Sequence, residues 1–258
     1  MVVSRGKPWI SSKNCAAALP ETLDPNRFRD SPRFFGRRRG KTLRDGQQDL
    51  LKQVLPRCAI ALSEGTQPLP PQTLFEPSRR AFWLEIGFGG GEHLAAQAQA
   101  HPDVGLIGSE VFVNGIASLL RHVEEKQVSN VRVWPEDVRR LWTRLPDKAF
   151  ERIFVLFPDP WPKTRHSDRR FIGPANLPDL SRLLADGGEL RVASDDMNYI
   201  DWSLSHLLDH PDFTALQASE EDRYTRPADW QPTRYEAKAL RQGKSCCYLR
   251  FQRKVREG

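Results

Sequence analysis

Residues 81–92 read AFWLEIGFGGGE, an apolar run that leads directly into a glycine-rich turn. Such a run predicts a buried strand, and the glycines allow the backbone to bend sharply and approach a ligand closely. Glu85 and Glu92 flank the glycines and would repel a pyrophosphate, the group that dinucleotide-binding folds hold at this turn. The stretch therefore predicts a strand–turn–helix unit for a positively charged cofactor such as S-adenosylmethionine. A turn without any ligand is the alternative.

The chain after this turn alternates apolar runs with segments of helical periodicity. The predicted strands are residues 81–86, 104–111, 131–134, 152–157, 189–193, 213–217 and 246–252. The predicted helices are residues 92–100, 114–126, 177–184 and 199–208, with a short helix near 137–145. Strands that alternate with helices indicate βαβ units, so we expect an α/β fold with a parallel, doubly wound sheet.

The charged residues are unevenly distributed along the chain, whose formal net charge is +6. Residues 1–80 contain 15 Lys and Arg against 7 Asp and Glu, and residues 223–258 contain 10 against 3. Residues 81–222 contain 14 against 23. Basic ends favour a polyanionic partner such as nucleic acid, although solvated surface charge is an equally simple explanation.

Changes in composition also suggest the boundaries of the domains. Residues 1–26 show no clear periodicity, and we expect them to be flexible. Residues 27–80 form a basic arm with a short helix at 45–55 and a Pro-rich linker. Residues 81–258 hold the alternating strands and helices and form the α/β domain.

The composition excludes several classes of protein. A hydrophobic fraction of 39% is enough for a core, and no apolar run reaches the length of about 18 residues that would predict a membrane span. The N-terminus lacks the apolar centre of a signal peptide. Four cysteines without a Cys-x-x-Cys pair predict reduced thiols in the cytoplasm. No cluster of metal ligands is apparent, so no metal is expected.

Two further carboxylates follow predicted strands. Glu110 ends the second strand, 25 residues after Glu85, where a ribose diol is usually bound in such folds. Asp137 follows the third strand and could accept a hydrogen bond from an adenine amino group. In isolation Glu110 could be a solvated strand end, and Asp137 fits the N-cap of a helix better.

The loop after the fourth strand, residues 157–170, reads FPDPWPKTRHSDRR. Three prolines restrict the backbone around Asp159, and Trp161 offers a flat face on which a base could stack. The loop also holds four cations suited to phosphate contacts: Lys163, Arg165, Arg169 and Arg170. A generic Pro-rich loop would not concentrate an acid, an aromatic ring and four cations.

Two segments near the basic end are less specific. Asp195 follows the fifth strand, where Ser194 and Asp195 could cap the next helix or contact a substrate. Residues 233–238 read TRYEAK and could be a substrate segment or a turn before the last strand. At the other end, Phe34 and Phe35 precede Arg37, Arg38 and Arg39 in the basic arm.

With these motifs, residues 27–252 resemble the bacterial tRNA (guanine-N7-)-methyltransferase family. The resemblance rests on LEIGFG at 84–89, GSE at 108–110, FPDPWPK at 157–163 and the segment at 233–236, and the basic arm resembles that of the family. It implies a Rossmann-like class I S-adenosylmethionine-dependent methyltransferase with a seven-stranded, mostly parallel sheet that has one antiparallel strand. The implied reaction is methylation of N7 of a guanine in the tRNA variable loop.

The resemblance also implies roles for individual residues. The expected cofactor-binding residues are Glu85, Gly87, Gly89, Glu110, Asp137 and Asp159, and Asp159 is also the expected catalytic carboxylate. The expected substrate-binding residues are Lys163, Asp195, Thr233, Arg234, Tyr235 and Glu236. The expected contacts to the tRNA backbone are Arg37, Arg38, Arg39, Arg165, Arg169 and Arg170. Ala239 stands where the family has glycine, which places the local turn in question.

The implied partner is tRNA, with no membrane, for a monomer or homodimer. Judged from the residues without the resemblance, three other functions remain possible. An NAD-dependent oxidoreductase is disfavoured by the spacing of the glycines. An exocyclic-amine methyltransferase would have Asn/Asp-Pro-Pro-aromatic in place of the Asp-Pro-Trp found here. A non-catalytic RNA-binding protein is expected to have lost Glu85 or the glycines, and both are present.

Overall fold

The computed structural model describes residues 34–62 and 65–257. Within them, seven strands form one sheet: β1 Ala81–Ile86, β2 Val104–Ser109, β3 Val131–Trp134, β4 Phe150–Leu156, β5 Leu184–Ser194, β6 Phe213–Ala215 and β7 Cys247–Arg253. Their order across the sheet is β3-β2-β1-β4-β5-β7-β6. Strand β7 is antiparallel to both of its neighbours, and the other adjacent strands are parallel. The predicted seven-stranded sheet with one antiparallel strand is confirmed.

The strand order places a crevice at one edge of the sheet. β1 pairs with β2 on one side and with β4 on the other, so the chain changes direction across the sheet at this point. In open α/β sheets, ligands bind beyond the carboxyl ends of the strands at such a switch point. The glycine turn and the loops after β2, β3, β4 and β5 all lie at that edge.

Seven helices cover the sheet within the described residues: α1 Asp45–Gln53, α2 Leu55–Cys58, α3 Glu92–Ala100, α4 Val113–Lys126, α5 Leu177–Leu183, α6 Met197–Asp209 and α7 Arg234–Arg241. Because side chains alternate along a strand, neighbours on β1 enter different cores. Trp83 packs with α3 and α4, whereas Leu84 packs with α5 and α6. None of the helices in this part of the chain is both long and apolar enough to cross a membrane.

Several elements differ from their predicted form. Residues 138–140 and 142–144 are two short 3-10 turns rather than one helix. The segment predicted as a Pro-rich linker places Phe75 in the core, with its ring 5.6 Å from that of Phe82. Residues 234–241 form helix α7 rather than the turn that was one interpretation of this segment. The predicted flexible segment 1–26 and the start of the basic arm lie outside the described residues.

Candidate active site

A cavity of about 430 Å³ opens at the carboxyl ends of β1, β2 and β4. This volume is in the range of small-molecule sites, roughly 300–1,000 Å³. Eight residues predicted to belong to the site line it: Gly87, Gly89, Glu110, Asp137, Asp159, Arg37, Arg169 and Tyr235. Parallel strands therefore bring together residues that are far apart in the chain, as expected for loops that leave the same edge of a sheet.

The glycine turn after β1 requires glycine at Gly89. Its φ is 55°, in the left-handed region, and a Cβ there would lie 2.7 Å from the ring of Tyr235. The N–H of Gly89 donates to the Glu110 carboxylate at 2.7 Å. The turn is therefore held between the end of β2 and the start of α7, with no room for a side chain.

Glu110 is a buried acceptor for three backbone N–H groups. Besides Gly89, the N–H groups of Val111 and Phe112 donate to it at 2.7 and 2.8 Å. Burial raises the pKa of the Glu110 carboxyl, the three N–H donors oppose that rise, and the nearby charge of Asp159 adds to it. Glu110 thus both fixes the glycine turn and presents a carboxylate to the cavity.

Glu85 lies beneath the turn and is not part of the cavity lining. Its carboxylate is 3% exposed and accepts a hydrogen bond from Nδ1 of His93 at 2.7 Å. Nε2 of that ring lies 3.2 Å from Nε2 of Gln97, which also donates to the carbonyl of Asp229 at 2.8 Å. His93 and Gln97 were missed by the sequence analysis, although their spacing of four residues on α3 places them on one helix face.

Asp137 caps the turn that follows β3 and also lines the cavity, and its contact with an adenine stays a prediction. Its carboxylate accepts the N–H of Arg139 at 2.9 Å, which caps the first 3-10 turn after β3. The guanidinium of Arg139 also donates to it, with Nη2 at 2.6 Å. Asp137 lines the cavity while its oxygens are occupied by this capping arrangement.

The loop after β4 has an unusual backbone on both sides of Asp159. Phe157 and Trp161 have φ values of 50° and 43°, a left-handed conformation that costs energy for residues other than glycine. Arg170 donates from Nε to the carbonyl of Pro160 at 3.1 Å and from Nη2 to that of Trp161 at 3.3 Å. The loop is held from within by Arg170, and Asp159 is exposed at its tip beside the cavity.

The basic arm contacts this loop at the mouth of the cavity. Phe35 meets Trp161 edge to face with ring centroids 6.1 Å apart, and the guanidinium carbon of Arg169 lies 4.3 Å from the Phe35 ring centroid. The arm is also attached to the residues after β2 and β3. The carbonyl of Arg38 accepts the N–H of Val113 at 3.0 Å, and the guanidinium of Arg38 lies 3.8 Å from the carboxylate of Glu136. Phe35 was not among the predicted site residues, although it stands next to the arginines of the arm.

Arg39, Lys163 and Arg165 are exposed around this mouth. None of the three lines the cavity. Their positions leave their charges accessible to a large partner rather than to a ligand inside the cavity.

Helix α7 covers the glycine turn. Arg234 donates from Nε to Glu92 at 2.5 Å and from Nη2 to Oγ of Ser118 at 3.0 Å. Thr233 begins the helix, because its hydroxyl accepts the N–H of Glu236 at 3.0 Å. Glu236 is 1% exposed and accepts from the hydroxyl of Tyr248 at 2.6 Å. Thr233 and Glu236 therefore hold the helix that places Arg234 and Tyr235.

Asp195 and its neighbour have separate contacts. Asp195 accepts from Nζ of Lys244 at 2.7 Å. The side chain that caps α6 is that of Asp196, which accepts the N–H of Tyr199 at 3.0 Å. The suggestion that Ser194 and Asp195 cap this helix is thus wrong by one residue, because the helix begins at Met197.

The cavity has the negatively charged acceptor groups that a cationic cofactor needs. Carboxylates of Glu110, Asp137 and Asp159 line it, together with the backbone of Gly87 and Gly89. A sulfonium and an ammonium group both favour such surroundings, whereas a pyrophosphate does not. Among the described residues, no group of three or more His, Cys, Asp or Glu side chains is placed to hold a metal ion.

Comparisons with known proteins agree with this geometry. Residues 79–249 match a family model described as a putative methyltransferase. The tRNA (guanine-N(7)-)-methyltransferase of Rhodospirillum rubrum is 54% identical over 235 residues, which cover 90% of this chain and 92% of that protein. Its counterpart from Paramagnetospirillum magneticum is 53% identical over 232 residues, covering 90% and 97%. On these identities and coverages, the chain belongs to the bacterial tRNA (guanine-N7-)-methyltransferase family.

Proposed function

We propose that this chain transfers a methyl group from S-adenosylmethionine to N7 of a guanine in the variable loop of tRNA. The observation that carries the proposal is the position of Asp159, which lines the same cavity as Gly87, Gly89 and Glu110 and lies on the loop that bears Trp161. Family membership supports both the methyl donor and the tRNA substrate. The same membership leaves no support for an oxidoreductase.

The residues that would hold the cofactor are Gly87, Gly89, Glu110 and Asp137. When bound, S-adenosylmethionine supplies a methyl group on a positively charged sulfur. Glu110 offers its buried carboxylate to polar groups of the cofactor and keeps the glycine turn in place through Gly89. Glu85 acts from below the turn, since its carboxylate is bonded to His93 rather than directed into the cavity.

The reaction needs positioning more than proton transfer. Guanine N7 carries a lone pair in its ordinary form, so no base must first remove a proton. The protein must hold N7 in line with the methyl group and keep water away. In this proposal Asp159 accepts hydrogen bonds from the N1–H and amino edge of the guanine. Its negative charge would also oppose the positive charge that the ring acquires.

The tRNA contacts would surround this cavity. A guanine inside a folded RNA must leave its stack to enter, and Trp161 with Phe35 offers aromatic surface at the mouth. Lys163, Arg165 and Arg169 provide cations on one side, and the arginines of the basic arm provide them on the other. Asp195 and the segment 233–236 complete the proposed substrate surface, with Thr233 and Glu236 acting through the position of α7. A cytoplasmic location and a monomeric or homodimeric state stay predictions.

The test is a methyl-transfer assay with isotopically labelled S-adenosylmethionine and unmodified tRNA, followed by mapping of the modified base. We expect 7-methylguanosine in the variable loop. A matched tRNA in which that guanine is replaced by adenine is the control and should accept no label. Label on an exocyclic amine, or label that persists in the control tRNA, would refute the proposal.

A further inference from the structure

A second cavity of about 370 Å³ adjoins the first, behind the glycine turn. The two cavities share Gly89, Phe112 and Tyr235 in their linings. The second lies between α1, α4 and the start of α7, and none of the residues predicted to bind the cofactor lines it except Gly89. Arg234 and Tyr235 of the proposed substrate surface also line it, and the proposed reaction gives no role to the rest of this cavity.

The walls of the second cavity come from one face of each of two helices. Asn114, Ser118 and Arg121 line it from α4, at spacings of three and four residues that place side chains on the same face. Arg44 and Gln47 line it from the start of α1. The small residues between the larger side chains of α4 leave the space open.

The lining of the second cavity is positively charged. Arg44, Arg121 and Arg234 contribute to it, and no Asp or Glu is among the described residues of the lining. The guanidinium of Arg234 lies directly against the glycine turn. It is so close to Gly90 that a Cβ on this residue would be 2.1 Å from the Nη2 atom of Arg234. Three guanidinium groups around one space favour a phosphate, which the planar guanidinium can bind through two hydrogen bonds.

Arg121 is available to exchange its present partner. It donates to Glu125 on the next turn of α4 at 3.0 Å, and both side chains are about half exposed. Exposed ion pairs of this kind contribute little to stability, so a phosphate can replace the carboxylate at small cost. Ser118, one turn before Arg121, adds a hydroxyl that already contacts Arg234 at 3.0 Å.

We propose that the second cavity binds a phosphodiester of the tRNA strand beside the reacting guanosine, with Arg121 and Arg44 as phosphate contacts next to Arg234. The proposal rests on the proposed function and extends it along the substrate. Tyr235 lines both cavities, so it would contact a base in the first and lie beside a backbone phosphate in the second.

The experiment measures tRNA binding in the presence of S-adenosylhomocysteine at several salt concentrations. We expect Arg121→Ala to weaken binding by about fivefold to tenfold and to reduce the slope of log affinity against log salt by about one. The double variant Arg44→Ala/Arg121→Ala should reduce the slope by about two. Arg121→Lys should restore most of the slope, because it keeps the charge.

Arg80→Ala is the matched control. Arg80 is 57% exposed and pairs with Asp103 at 2.7 Å, much as Arg121 pairs with Glu125, but it precedes β1 at the opposite edge of the sheet. We expect this variant to bind tRNA with the wild-type salt slope. Melting temperatures and the affinity for S-adenosylhomocysteine should be unchanged in every variant.

Wild-type affinity and slope in Arg121→Ala would overturn the proposal. A loss of S-adenosylhomocysteine affinity in that variant would also overturn it, since the cavity would then belong to the cofactor. Failure of the proposed function is seen separately, as absence of 7-methylguanosine with the wild-type chain. The binding measurement does not depend on which base is methylated.

Discussion

The backbone N–H of Gly89 donates to the carboxylate of Glu110 at 2.7 Å, so the glycine turn after β1 is tied to the end of β2. The two residues are 21 positions apart, and parallel pairing of β1 with β2 brings them to the same edge. The shape of the cavity at the glycine turn therefore depends on the position of one buried carboxylate, that of Glu110.

Glu110→Gln tests this relationship. The amide can accept at its oxygen only, so at least one of the N–H groups of Gly89, Val111 and Phe112 loses its acceptor. A buried donor without a partner costs about 1–3 kcal/mol, and we expect a lower melting temperature and at least tenfold weaker binding of S-adenosylhomocysteine. Glu125→Gln, on the exposed face of α4, is the control and should change neither quantity. Unaltered cofactor binding in Glu110→Gln would contradict the role of this bond.

Asp159→Asn should separate catalysis from cofactor binding. The amide keeps the size of the side chain but loses the charge that opposes positive charge on the guanine, so we expect kcat to fall by about 100-fold or more. The affinity for S-adenosylhomocysteine, measured by calorimetry, should change by less than about fivefold. Asp168→Asn, on the same loop and the same cavity, is the comparison and should cost much less activity. Equal losses in the two variants would show that Asp159 has no special position.

The arginines of the basic arm should govern the salt dependence of tRNA binding. Replacement of Arg37, Arg38 and Arg39 by alanine is expected to weaken binding and to reduce the salt slope by about two to three. The triple lysine variant keeps the charge and should retain a slope close to that of the wild type. An unchanged slope in the alanine variant would mean that the arm does not contact phosphate.

Asp229→Asn should disturb the segment that leads into α7. Arg191 is buried and donates from Nη1 and Nη2 to the two oxygens of Asp229, both at 2.9 Å. Because Asp229 is 43% exposed, we expect a loss of about 1–3 kcal/mol in unfolding free energy rather than the full cost of a broken buried pair. The KM for tRNA should also rise, since residues 229–233 position Arg234 and Tyr235. A stability loss with an unchanged KM would limit Asp229 to a structural role.

Asp186 should control stability at acid pH. Hydrogen bonding from Lys148, at 2.7 Å, and from Arg256 lowers the pKa of Asp186 from 3.8 to about 2. A carboxyl with a lowered pKa stabilises the fold above its unfolded pKa and loses that effect as the pH falls towards its folded pKa. The melting-temperature difference between wild type and Asp186→Asn should therefore be present near neutral pH and shrink between about pH 4 and 2. A difference that stays constant over this interval would contradict the assignment.

The sequence predicted β1 and β3 with correct ends, because each is a short run of mostly apolar residues followed directly by a glycine or a proline. It placed the start of β5 too late. Residues 184–188 read LADGG, which signals a turn, yet Leu184 pairs with Phe150 before the register shifts and Glu189 pairs with Arg152. Local propensity cannot reveal such an irregularity, because the partner strand supplies the hydrogen bonds.

The acidic residues at the cavity were predictable for a related reason. Glu110, Asp137 and Asp159 each follow a parallel strand, and topology alone brings them to one edge. The partner of Glu85 was not predictable, since the contact with His93 depends on how α3 is rotated against the sheet. The contact of Arg234 with Glu92 joins residues 142 positions apart and depends on helix α7, which the local sequence does not distinguish from a turn.

The antiparallel strand has a consequence for the order in which the protein can be completed. Among the described strands, β6 pairs only with β7. Because β7 lies between β5 and β6, both of these strands have an unpaired edge until β7 has joined the sheet. Helix α7 lies between β6 and β7 in the chain and is bonded to β7, because the Tyr248 hydroxyl donates to Glu236 at 2.6 Å. A chain that stopped short of β7 would contain Glu110, Asp137 and Asp159 but would lack the Tyr248 hydroxyl that bonds Glu236, so the helix that carries Tyr235 would lose this attachment to the sheet.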